Sequence, residues 1–411
     1  MNRCFHRGLL LGLAIVAGWA QGQTADQPAL TAHELVQGFR DGYVLAKPRA
    51  DHRASIDEEE NQAGIRRWGK FESFGGLRVI EVAQGDTPAA AIQRLLATGR
   101  YEFVEPDYLK HIDATPNDPD FTQQWGLNNT GANPTIPGPG IAGADIHAVA
   151  AWNTRTDAPS VVVAVVDSGA LLTHTDLVAN LWLNPQENQD GYTTNDLYGI
   201  NATVGSTNSA SGTPTDTDGH GTHVSGIIGA VGNNGTGVSG VAWKAQLMEL
   251  KFIGSTGSGS TSAEITCLNF ALHHGAALIN ASFGSSQPSS AEFSALQALQ
   301  AAGVIFVAAA GNDGEDNNLS PSYPADYLLD NIVTVGCSDN RDDAVYFSAV
   351  SSGSVDLFAP GYNIVSLYNN SNTATATLSG TSMSTPSAKG EEGLVKAFER
   401  GKHSDTYIGG P

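Results

Sequence analysis

From residue 161 to 166 the chain reads Val-Val-Val-Ala-Val-Val and then stops on Asp167. Such a run has no polar face, so a strand built from it must be covered on both sides. Similar apolar runs recur at 246–252, 276–280, 303–309 and 332–335, with helical patterns between them. Strands buried on both faces and separated by helices predict an α/β fold. The expected form is a doubly wound, mostly parallel sheet flanked by helices. In such sheets function collects just past the carboxyl ends of the strands.

The residues ahead of this region read differently. Arg3 and Arg7 precede the apolar run 9–17, and small residues Gly18 and Ala20 follow. Those are the parts of a secretory signal over residues 1–22, which points to a secreted, extracellular or periplasmic protein. The run is short for a membrane span, and no later stretch is long enough, so no membrane partner is expected. Residues 23–113 read as strand, charged helix, strand, helix and strand, a small α+β unit. Residues 114–411 form the main domain.

The net charge of −21, from 42 acidic and 21 basic residues, repels phosphate backbones and argues against a nucleic-acid partner. It also supplies oxygen ligands for hard cations. Once the signal is gone, Cys267 and Cys337 remain. A disulfide between them and two buried thiols are both open readings.

Three segments carry chemistry. Asp167 lies in Val165-Val166-Asp167-Ser168-Gly169 at a strand end. His220 enters a helical pattern in Asp218-Gly219-His220-Gly221-Thr222-His223-Val224-Ser225-Gly226. Ser382 does the same in Ser379-Gly380-Thr381-Ser382-Met383-Ser384-Thr385-Pro386. Taken singly, these are a turn residue, a structural histidine and a helix cap. Together they are a carboxylate, an imidazole and a hydroxyl in the chain order Asp, His, Ser, the set that acyl transfer needs. With Ala309-Ala310-Gly311-Asn312-Asp313-Gly314 and Phe358-Ala359-Pro360-Gly361 they make the chain resemble the subtilisin-like serine peptidases over residues 114–386.

That resemblance implies roles. Asp167 orients His220, His220 is general base and then acid, Ser382 is the nucleophile, and Asn312 donates to the oxyanion. Asn280, Ser282 and Gly284 match one wall of a peptide cleft, and Ser322 falls near the floor of the first specificity pocket. A small neutral floor implies broad, apolar-tolerant selectivity, with Asp313 at the rim tolerating a basic side chain. Structural calcium is implied at Asp118, Asp176, Asn234, Thr236 and Val238, through carboxylate, amide and carbonyl oxygens. Residues 23–113 resemble an inhibitory propeptide, cut from a monomeric enzyme between about Lys110 and Pro116. A His220–His223 metal pair is the weaker reading of that segment, with His223 taken as structural.

The resemblance fails near the end. After Pro386 a helix of small apolar residues is expected, but the chain reads Ser387-Ala388-Lys389-Gly390-Glu391-Glu392-Gly393. Two glycines and three charges lower helix stability. The chain also ends at Pro411, roughly a strand and a helix short of the family pattern. A non-catalytic binding protein that keeps the cleft is therefore the alternative to a serine endopeptidase.

Overall fold

A computed structural model of the protein describes residues 39–109, 114–132, 136, 138–187, 196–203 and 212–388. Residues 1–38, which include the expected signal, and the chain from Lys389 onward lie outside the described residues. The chain divides into two compact units, residues 1–110 and 111–411.

The first unit runs β1 (Phe39–Pro48), α1 (Ile56–Gln62), β2 (Arg67–Phe71), β3 (Leu77–Glu81), α2 (Pro88–Ala97) and β4 (Tyr101–Tyr108). Its four-stranded sheet has the order β2-β3-β1-β4, and every pairing is antiparallel. The sequence reading missed β2. Its Arg-Trp-Gly-Lys-Phe lies at the sheet edge with no buried residue, so it carries no apolar alternation. Val44, Ala46, Ile56, Ile80, Leu95, Tyr101 and Val104 form the core.

In the second unit α3 (Ala148–Trp152) leads into β5 (Asp157–Asp167), β6 (Gly199–Asn201), α4 (His220–Gly229), β7 (Lys244–Lys251) and α5 (Thr261–His273). There follow β8 (Leu278–Ala281), α6 (Ser290–Ala301), β9 (Ile305–Ala309), β10 (Ile332–Ser338) and β11 (Leu357–Pro360). A hairpin of β12 (Ile364–Leu367) and β13 (Thr375–Leu378) precedes a helix, α7, described over 381–388. The seven-stranded sheet is parallel throughout, in the order β11-β10-β9-β8-β5-β7-β6.

Alternation along β5 explains its unbroken apolar run. Val163 and Val165 join the core under α4, with Val224, Ile227 and Ile228, while Ala164 and Val166 join the core under α5 and α6. Ser260 and Ser289 cap α5 and α6 by accepting the N–H groups of Ala263 and Glu292. The chain leaves β5 toward β6 and β7 on one side and returns to β8 on the other. The carboxyl end of β5 is therefore the switch point where a crevice opens.

Cys267 and Cys337 are both buried free thiols, which removes the disulfide reading. Among the described residues no helix is long and apolar enough to cross a membrane.

Candidate active site

Asp167 ends β5 with its side chain fully buried, and His220 begins α4 with 27% of its side chain exposed. The imidazole Nδ1 lies 2.9 Å from one Asp167 oxygen and 3.0 Å from the other, across 53 residues of sequence. Burial disfavours the imidazolium. Asp167 outweighs it by charge and hydrogen bond, with Asp218 and Asp216 behind it, so the His220 pKa is raised above its ordinary value. The close approach of α4 depends on Gly221. A Cβ there would lie 2.1 Å from the Gly169 carbonyl oxygen and 3.1 Å from Asp167 Oδ1.

The sequence reading missed Asp216, which holds this loop together. It is buried, and it accepts Ser168 Oγ and the N–H groups of Asp218, Gly219 and Thr222, besides the Thr222 hydroxyl. Ser168 Oγ in turn accepts the Gly221 N–H at 2.9 Å. A carboxylate taking five donors fixes the entry into α4, and with it the position of His220. An Asp four residues before a His-Gly-Thr-His run was the only sequence signal available.

Ser382 is the second residue of α7. Its hydroxyl donates to the Ser282 carbonyl at 3.1 Å rather than to His220. Ser282 Oγ donates back to the Ser382 carbonyl at 2.9 Å and accepts Asn280 Nδ2 at 2.8 Å. Asn280 is fully buried and Ser282 nearly so. The Ser282 side chain and carbonyl thus tie this segment to the start of α7, and Asn280 supports Ser282. Gly284 and Ser322 do face a cleft of about 250 Å³, together with Asn312, Asp313, Thr381 and Ser382. Asn312 Oδ1 accepts both the N–H and the hydroxyl of Thr381, at 2.8 and 3.1 Å. Its amide is thereby oriented, with Nδ2 left as the donor.

A family model described as "Subtilase family" matches residues 158–405. The chain belongs to the subtilase family. It is 33% identical over 290 residues to thermitase of Thermoactinomyces vulgaris, covering 70% of this chain and 87% of that protein. It is 38% identical over 251 residues to Subtilisin Savinase of Lederbergia lenta, covering 61% and 81%. Against Subtilisin-like protease 2 of Plasmodium falciparum, 37% identical, the match covers 57% of this chain and spans 17% of that protein's length. A solved structure of proteases from Pseudoalteromonas arctica superposes with a TM-score of 0.54 at 28% identity, over 69% of this chain and 87% of that one.

The subtilase's implied calcium residues also come together. Asp118 accepts the N–H groups of Asn233, Asn234 and Gly235, and Asp176 accepts Asn234 Nδ2 at 2.7 Å and the Val238 N–H at 3.0 Å. Thr236 donates its N–H to Asn234 Oδ1. Burial, aided by the charges of Asp118 and Asp120 and opposed by the Asn234 and Val238 donors, raises Asp176 to about 7. Two buried carboxylates and an amide are oxygen groups of the kind calcium takes, and in this structure loop N–H groups and the Asn234 amide nitrogen face the carboxylates. Among the described residues no three His, Cys, Asp or Glu side chains group as a metal centre.

His223 turns away from His220. Its Nε2 lies 3.1 Å from both the Ile364 and Ala376 carbonyls, so that nitrogen carries the proton. Burial lowers its pKa to about 3, so in this subtilase His223 is a neutral tie between α4 and the β12–β13 hairpin.

Proposed function

We propose that this subtilase is a secreted serine endopeptidase that cleaves peptide bonds through an acyl-enzyme. The observation that carries the reading is the contact of His220 Nδ1 with both oxygens of buried Asp167. It leaves Nε2 as the proton acceptor at the carboxyl end of β5, and Ser382 and an oriented Asn312 share one cleft.

Ser382 Oγ leaves the Ser282 carbonyl by a rotamer change, a picosecond-to-nanosecond motion, and attacks the scissile carbonyl carbon. His220 takes the hydroxyl proton and then passes it to the leaving amine. The oxyanion receives hydrogen bonds from Asn312 Nδ2 and the Ser382 N–H. Water then repeats the sequence and releases the acid. Asp167 holds the imidazole tautomer. Protonated His220 cannot act as base, so turnover falls as pH drops through its raised pKa.

The substrate lies along Gly284 as an added strand, so main-chain bonds give broad selectivity, with Ser322 at the pocket floor. Asp313 on the same cleft tolerates a basic side chain. Residues 23–113 act as an intramolecular inhibitor, removed near 110–116, and the mature enzyme is a monomer. Asp118, Asp176, Asn234 and the Thr236 and Val238 carbonyls would hold calcium, which would supply a charge-neutralising tie that stabilises the folded loop.

The test is expression of wild type beside Ser382→Ala. Wild type is expected to process its own precursor, hydrolyse casein and react with a fluorophosphonate. Ser382→Ala is expected to remain uncut and inert. Equal behaviour of the two proteins removes the peptidase reading.

A further inference from the structure

One buried acid beneath the site has no part in the reaction just described. Glu249 lies on β7 opposite Val165, and Lys251 lies opposite Asp167. Side chains in register on neighbouring strands share a face, and alternate residues return to it. Glu249, Lys251, Val165 and Asp167 are therefore on the face where Val165 packs with Val224, Ile227 and Ile228 of α4. Glu249 is fully buried. Its oxygens accept one donor, Ser225 Oγ, at 2.9 and 3.1 Å, and Ser225 belongs to the helix that begins with His220.

The acid has no cationic partner among the described residues. Lys251, buried on its own strand, gives its ammonium to the Ser168 and Ile253 carbonyls and to Thr217 Oγ1. The neighbouring β5 offers Asp167, and the loop before α4 offers Asp216, both of the same sign as an ionised Glu249. The α4 helix offers His220 and His223, the latter neutral. On the other side, β6 presents Gly199 opposite Glu249, where a Cβ would collide with the Glu249 carbonyl. A lone carboxylate in such a place is costly, so the group keeps its proton.

We propose that Glu249 is a positioning residue for the His220–Asp167 pair: a buried carboxylic acid on the strand beside Asp167 that ties β7, through Ser225, to the helix that begins with His220. The proposal rests on the peptidase reading only for its effect on turnover. Burial first, then the charges of Asp167 and Asp216, raise Glu249 to about 8 against the opposing Ser225 bond.

The experiment is an NMR titration of the His220 imidazole in the full chain carrying Ser382→Ala, which cannot digest itself. The expected curve has the main step of His220 and a second, smaller inflection near pH 8. Glu249→Gln is expected to abolish the second inflection. Ser225→Ala is expected to move it to higher pH, because the lost hydroxyl favoured the carboxylate. In the active enzyme, kcat/KM is expected to show a limb near pH 8 that Glu249→Gln lacks. A single-step curve in the parent chain, or an inflection that survives Glu249→Gln, overturns the proposal. Should Glu249→Gln fail to fold, an unmoved inflection in Ser225→Ala overturns it instead. A wild type that hydrolyses nothing defeats the peptidase reading, while the NMR inflection still reads Glu249 by itself.

Discussion

The two units each bury a glutamate completely, and they solve the problem in opposite ways. In the first unit Glu60 meets the buried Arg78 guanidinium at 2.8 Å, accepts the Tyr101 hydroxyl at 2.7 Å and has Arg67 at 3.4 Å. Burial, and donation to that carboxylate, push the Tyr101 hydroxyl well above its ordinary range. In the second unit Glu249 has Ser225 and like charges around it. One arrangement compensates a charge and the other suppresses it. A buried acid thus stabilises or burdens its surroundings according to what faces it.

The sharpest way to break the contrast is at Asp167, a buried acid compensated by an imidazole. Asp167→Asn is expected to lower kcat by roughly 10⁴-fold, since the wrong imidazole tautomer is then favoured. It is also expected to move the acid limb of kcat/KM downward, because the charge that raises His220 is lost. A pH–rate profile on a peptide amide reads both effects.

Next comes the compensated pair of the first unit. Arg78→Met leaves Glu60 with only Arg67 and Tyr101 and is expected to cost about 1–3 kcal/mol, seen as an early transition in thermal unfolding of the full chain. Adding Glu60→Leu is expected to recover most of the loss. If the single variant unfolds like wild type, the guanidinium does not compensate that charge.

Glu249→Gln tests the suppressed charge. The folded state holds the Glu249 proton up to about 8, whereas the unfolded chain loses it near 4.5. Folding therefore takes up a proton between those values, and stability falls as pH rises through that window. Gln has no proton to hold, so the variant's stability advantage is expected to grow from pH 4.5 to 8 and then level off, read by denaturant unfolding at each pH. It should reach about 1–3 kcal/mol after relaxation around the site. A flat difference across that range contradicts the assignment.

The smallest effect concerns the pair of acids that the calcium reading joins. Chelation with EDTA is expected to lower Tm by several degrees, by mass action on the folded state. Asp176→Asn is expected to abolish that sensitivity. An unchanged melting curve rejects a structural calcium.

Much of this molecule is legible along the chain. The run that ends on Asp167 encodes a strand buried on both faces, because alternate residues must enter two separate cores. The segments around His220, Asn312 and Ser382 are recognisable because each is continuous, with its backbone and side chain specified within about ten residues. The edge strands β2 and β6 left little trace, since short strands at a sheet edge lack a sustained pattern.

Other features exist only once distant segments meet. Asp216 matters because Ser168, 48 residues earlier, and Thr222, six later, donate to it. Glu249 faces a serine 24 residues away, and Ser282 exchanges hydrogen bonds with Ser382, 100 residues further on. The same holds for the thiols of Cys267 and Cys337, which the fold buries unpaired. Sequence alone determined which groups can do acyl-transfer chemistry and which strands carry them, because those follow from residue type and local period. Tertiary packing decided which buried charges are compensated, because the sign of each effect depends on atoms brought in from elsewhere in the chain.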